Sequence, residues 1–336
     1  MRMVIRKTRI AGLAGGLLLC LAANAQDTLT LRKNAGYVLP DGTVRIVGAA
    51  SLQGVIGKLD ALFTQSHPGI RFSYQSADNN GAIAALIFDT SPFAPIGTVY
   101  SGSIAYSDIV KSAPFSIRIA HGSLSPRAKV SPLAVIVNAS NPVEHLSMAD
   151  VSSLFSKPQR ARVFSTWGQV GLTGESANIL VEPAGLPWSD HYASEDREFG
   201  DDVFFRRFGA VAPVDNYRMF KTYAEVVAFV SERPGAVGIV ELNRLTPGIK
   251  VVGLLDGPFG VTRTGTAADI ASGHYPLDRY LYLQLRVLNG KPLDPLVREY
   301  VRMVLSPEGQ SAIASEGEEY IPLNPTELAE EQGKFQ

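Results

Sequence analysis

The chain has 336 residues, 46% of them hydrophobic, with 31 basic and 32 acidic side chains and a formal net charge of −1 at pH 7. This balance argues against nucleic acid and against an anionic membrane surface as partners, while leaving room for a small local basic pocket. A single cysteine excludes a disulfide framework and a cysteine–zinc site.

The first 25 residues read as a signal peptide rather than part of the fold. Arg2, Arg6, Lys7 and Arg9 form a basic region, residues 10–22 are a short apolar run, and Ala23-Asn24-Ala25 is an A-x-A cleavage signal. Cleavage after Ala25 predicts a periplasmic protein. A lipid anchor at Cys20 would want a small residue directly before the cysteine, and Leu19 is not small. Removal of four basic and no acidic residues leaves 27 against 32, a net charge of −5, and a mature chain without a thiol. The remaining length suits a core divided between two domains. No later run is long and apolar enough to cross a bilayer.

Residues 27–42 are polar and irregular, a lead-in arm. Val44–Gly48 predicts a buried strand, Ala49–Ser51 a tight turn, and Leu52–Ser66 an amphipathic helix with Leu52, Val55, Ile56, Leu59, Leu62 and Phe63 on one face. His67-Pro68-Gly69 ends it, and Ile70–Tyr74 is the next strand. The turn-rich Ser76–Gly81 then opens an alanine-rich helix over Ala82–Ile87. The free amides of its first turn suit an anion or a polar ligand, although by itself the stretch reads as a helix capped by Asp78 or Asn79. This β-α-β order predicts a parallel sheet whose ligand edge carries Ser51 and the Ala77–Gly81 loop.

Residues 88–101 read as a proline-broken passage, Leu133–Asn138 as a buried strand, Ser147–Phe155 as a short helix, and Phe164–Leu172 as a turn around Trp167. A strand is expected over Asn178–Val181, a polar stretch over Trp188–Arg197, and helices over Phe199–Phe208 and Tyr223–Glu232. Ala236–Val240 and Leu281–Arg286 are strands, Leu296–Val304 and Ser306–Gly317 helices. The tail, Thr326–Gln336, reads as solvated and loosely held.

Several segments together resemble the phosphate-binding protein of ABC transporters and its relatives, a type II periplasmic substrate-binding family. They are VRIVGAASL at 44–52, FTQSHPGIRF at 63–72, GAIAALI at 81–87 and LAVIVNASNPVEHLSMADVSSLFS at 133–156, followed by Trp167. ERPGAVGIVEL at 232–242, YPLDRYLYL at 275–283, VLSPEGQ at 304–310 and YIPL at 320–323 complete the set. The resemblance implies an α/β fold of two lobes, each a mostly parallel sheet flanked by helices, joined by two crossover strands and closing on ligand by a hinge. The first lobe is then expected over 26–129 and 244–336, with the second inserted at 130–243.

The function so implied is an exported substrate-binding protein, a monomer that holds phosphate or a related oxyanion between the lobes and serves an ABC permease. It is not an enzyme and needs no cofactor or metal. The implied ligand contacts are Ser51, Asn79, Asn80, Gly81, Thr98, Ser194 and Arg197. The site departs from the family pattern, because Asp78, Glu195 and Asp196 add negative charge near an anion position and the Pro92–Thr98 run lacks the family's Asp or Arg. The alternative is a paralogue with an altered cleft that takes another small polar ligand or acts as a sensor or adaptor.

Read as residues, Arg197 is either an anion clamp with a planar fork of donors or a salt-bridge partner of Glu195 or Asp196. Asp190, His191, Glu195 and Asp196 lack the second histidine a metal site would want. No G-x-S-x-G elbow is present, and His121, His145 and His274 have no catalytic spacing. Tyr100, Ser101 and Tyr106 are candidates to line the cleft or the core.

Overall fold

The computed structural model describes residues 29–98, 115–157, 162–189, 192–210, 212–257, 260–288 and 290–334. The leader, Tyr100, Ser101, Tyr106, Asp190 and His191 lie outside them. In chain order the strands are β1 (Val44–Ala49), β2 (Phe72–Ala77), β3 (Phe93–Ile96), β4 (Phe115–His121), β5 (Leu133–Asn138), β6 (His145–Ser147) and β7 (Glu182–Gly185). There follow β8 (Arg218–Met219), β9 (Ala236–Glu241), β10 (Ile249–Val251), β11 (Gly253–Asp256), β12 (Val261–Arg263) and β13 (Tyr280–Leu285).

The predicted β-α-β unit is present. β1 and β2 pair in parallel, and helix Gln53–Ser66 between them buries Val55, Ile56, Leu59 and Phe63. Gly48 is required in β1, since a Cβ there would fall 2.4 Å from the Tyr74 hydroxyl and 2.8 Å from the Pro95 ring. Residues 88–101 do contain a strand, because β3 is fully buried and pairs antiparallel with β13. Pro95 costs it nothing on that account: β3 is an edge strand, where a missing amide is tolerated. β13 pairs on its other side with β4.

The second sheet runs β10-β5-β9-β7-β8 and is mixed rather than mostly parallel. β5 and β9 are antiparallel neighbours, whereas β7 pairs in parallel with both β9 and β8. The strand expected at Asn178–Val181 lies later, at β7. Trp167 is fully buried and donates its indole N–H to the Gly235 carbonyl at 3.1 Å, which anchors the turn around it.

Two cores result. One gathers buried residues from Ala35 to Val130 and from Leu281 to Leu323, the other from Leu133 to Leu277. The second takes in Val252, Leu254, Ile270 and Tyr275, which lie beyond the 130–243 insertion expected. The chain therefore crosses between the cores at 130–133 and at 277–281.

The tail is not loose. Pro325–Gly333 is a helix with an Asn324–Glu327 capping box, and Glu327 and Glu331 are buried. Three acids on this helix meet Arg118 of β4: Glu330 at 2.6 Å, Glu327 at 3.5 Å, and Glu331 through the Arg118 Nε. An acid-rich segment reads as solvated by composition, but these acids repeat at helical spacing and share one half-buried cation. Among the described residues no helix is long and apolar enough to cross a membrane.

Candidate functional site

A cleft of about 530 Å³ opens where the two cores meet. The first core contributes Ser51, just after β1, Asn79 in the first turn of helix Asn79–Ile87, and Thr98, just after β3. The second contributes Glu195–Glu198 and Asp202, and the crossings add Lys129 and Arg279. This is the carboxyl edge of the strands, where an open α/β sheet offers a crevice.

At the back of the cleft stands Asp202, on a turn over Asp201–Arg207 with π geometry, in which the Phe208 amide bonds the Val203 carbonyl. The wide turn lets Arg206 and Arg207 both reach one carboxylate. Arg206 Nη2 is 2.8 Å and Arg207 Nε 3.0 Å from Asp202 Oδ1, while Arg279 Nε is 3.0 Å from Oδ2. Burial alone would push the Asp202 carboxyl up, but Arg207, Arg279 and Arg206 hold it well below its ordinary value. Arg279 also meets Asp196 at 2.8 Å and Glu241 at 3.6 Å. Burial opposes its charge, yet these acids keep its pKa well above the ordinary one, and its Nη2 remains buried without an acceptor.

The other cleft carboxylates are also engaged by the protein. Asp78 caps helix Asn79–Ile87, its Oδ1 2.7 Å from the Gly81 amide. Glu195 accepts the Tyr223 amide, at the start of helix Tyr223–Glu232, and Asp196 accepts the Tyr223 hydroxyl at 2.6 Å. Glu198 takes a hydrogen bond from the Asn79 side chain across the cleft; burial, then Asp196, raise its pKa. Glu241 accepts the Ser131 amide at 3.3 Å and lies 3.5 Å from Arg244; burial pushes its pKa up to about 7. In contrast, the exposed Arg197 and Lys129 have no ion pair with a described residue. Among the described residues no group of three His, Cys, Asp or Glu is placed to hold a metal ion.

No family model matches the chain. The phosphate-binding protein PstS of Pseudomonas aeruginosa is 26% identical over 292 residues, 86% of this chain and 85% of that protein. An ABC-type phosphate transport receptor from Vibrio cholerae superposes with a TM-score of 0.56 at 16% identity, over 83% of this chain and 99% of its own. The chain has the type II periplasmic-binding-protein fold. PstS from Borrelia burgdorferi superposes similarly, with a TM-score of 0.57 at 15% identity, over 84% of this chain and 99% of its own.

Of the residues expected to bind, this periplasmic-binding-protein fold brings Ser51, Asn79, Thr98 and Arg197 to the cleft wall. Asn80, Gly81 and Ser194 do not line it. Asn80 is exposed, the Gly81 amide is taken by Asp78, and the Ser194 hydroxyl donates to the Asp196 carbonyl at 2.9 Å. The salt-bridge reading of Arg197 is not realised, since Glu195 and Asp196 turn toward Tyr223 and Arg279 instead. Asp202, Arg206, Arg279 and Lys129 were not singled out by the sequence. The i, i+4 spacing of Asp202 and Arg206 was a usable signal. The meeting with Arg279, distant in the chain, left none.

Proposed function

We propose that this chain is an exported substrate-binding protein of an ABC-type transporter, which takes phosphate or a related oxyanion between its lobes and presents it, as a monomer, to a permease. The observation that carries the reading is the pairing pattern of the cleft. Each lining carboxylate already has a protein donor, whereas Arg197 and Lys129 have no ion pair with a described residue and are left for a ligand's negative charge. The names of the relatives, phosphate-binding and phosphate transport proteins, support the same ligand. Binding by such a cleft involves no bond making, so no catalytic residue is assigned.

A second reading has one observation in its favour. Asp78, Glu195, Asp196, Glu198, Asp202 and Glu241 outnumber Lys129, Arg197, Arg244 and Arg279 along the lining. A net acidic wall suits a cationic or uncharged ligand, or a sensor or adaptor role. Calorimetry on residues 26–336, freed of carried-over ligand and titrated with phosphate and with sulfate, separates the two. Saturable phosphate heat that Arg197→Ala abolishes supports the transport reading. No heat with either anion overturns it in favour of the second.

A further inference from the structure

The cores are joined by the two chain crossings and by side chains, among them Asn324 on the Ala271 carbonyl at 3.3 Å and a cluster that meets at Asp202. Arg206 donates from Nη1 to the Thr98 hydroxyl, at 3.1 Å, on the first-core wall, and from Nη2 to Asp202 on the second. Arg279, on the 277–281 crossing, reaches the same carboxylate, and Arg207 ties it to that crossing through the Pro276 carbonyl at 2.6 Å. Three guanidinium groups converge on one carboxylate, with Asp196 and Glu241 sharing the charge of Arg279, and the Arg279 Nη2 has no acceptor among the described residues. A cradle of this kind matches an oxyanion better than a monovalent side chain.

We propose that Asp202 is a built-in anion which fills this cradle and, through Arg206 on Thr98, latches the two lobes closed without ligand. The latch is a property of the empty protein. Its effect on affinity rests on the oxyanion reading above: an incoming anion meets arginines already neutralised by Asp202, with a like charge beside it, and is held more weakly than the same cradle would allow.

The test uses residues 26–336 as the wild type, Asp202→Asn and Arg206→Gln, each checked for folding by near-ultraviolet circular dichroism. Asp202→Asn keeps the side-chain shape and removes the charge; Arg206→Gln keeps Asp202 and its other two arginines and removes the reach to Thr98. Small-angle X-ray scattering without ligand should give a larger radius of gyration for either variant than for the wild type. Calorimetry should show Asp202→Asn binding phosphate at least about tenfold more tightly, the factor expected from removing one like charge at close range. An unchanged radius in a folded variant overturns the latch, whatever the calorimetry shows. A larger radius with no phosphate heat in any of the three proteins keeps the latch and overturns the oxyanion reading. Equal phosphate affinity in wild type and Asp202→Asn overturns the built-in-anion role.

Discussion

Nδ1 of His121, at the end of β4, lies 2.6 Å from Oδ2 of Asp278, and its Nε2 faces Glu327 at 3.0 Å in an ion pair out of hydrogen-bond alignment. Burial disfavours the charged ring, but the two acids outweigh it and raise its pKa from 6.5 to about 9. The folded chain thus keeps a proton that the unfolded chain loses. The stabilisation is complete below pH 6.5 and disappears as pH rises through about 9. It amounts to on the order of 3 kcal/mol. Urea unfolding at pH 6, 8 and 10 should show this alkaline loss, and His121→Asn should flatten it. An identical alkaline slope in the variant would refute the assignment.

Asp60 loses stability in the same direction but over a lower pH range, and through burial rather than charge partners. Burial pushes its carboxyl from 3.8 up to about 7, against the hydrogen bond that Tyr300 donates at 2.8 Å. The folded state holds the proton longer, so stability falls as pH rises from 3.8 through about 7. Asp60→Asn keeps the acceptor for Tyr300 and removes the charge. The variant should be more stable than the wild type at pH 8, by at most roughly 4 kcal/mol, and should show no advantage near pH 4. Equal melting temperatures at pH 8 would count against it.

The C-terminal helix is a structural element rather than a tail. A chain ended at Asn324 leaves the half-buried Arg118 without its three acids and the buried His121 with Asp278 alone, a loss of about 3–5 kcal/mol for one broken buried pair. Thermal unfolding of the truncated protein should show a markedly lower midpoint. An unaltered midpoint would mean that the docked helix contributes nothing.

Asp78→Ala separates cap from site. Loss of the cap should cost about 1 kcal/mol of stability. The same change frees the Gly81 amide and removes a negative charge from the first helical turn, so phosphate should bind more tightly, not less. Weaker binding would show that Asp78 itself serves the ligand.

Local order in this fold is well written in the residues. Val44–Ser66 carries the period-2 then period-3.6 pattern of β1 and its helix, and Ser147 with Asp150 forms the capping box their spacing announces. What was hidden depends on partners far along the chain. β3 was obscured by Pro95, harmless only because the strand is at an edge. The helix Pro325–Gly333 was obscured by charge that Arg118, His121 and Lys334 make buriable. The same limit governs the cleft. Asp78, Glu195 and Asp196 were visible as acids, but their partners Gly81, Tyr223 and Arg279 decide which way they point.

The two cores differ in how the chain supplies them. The Leu133–Leu277 core is contiguous, whereas the other needs residues on both sides of it. In the export proposed above, a polypeptide that emerges N-terminus first completes the contiguous half while β13 and the helices Pro295–Val304 and Pro307–Ala314, which pack on helix Gln53–Ser66, are still inside. In the interval β3 and β4 lack the strand that pairs them both and present unpaired edges. The discontinuous half is therefore where a holding chaperone or a protease would find the chain in that interval.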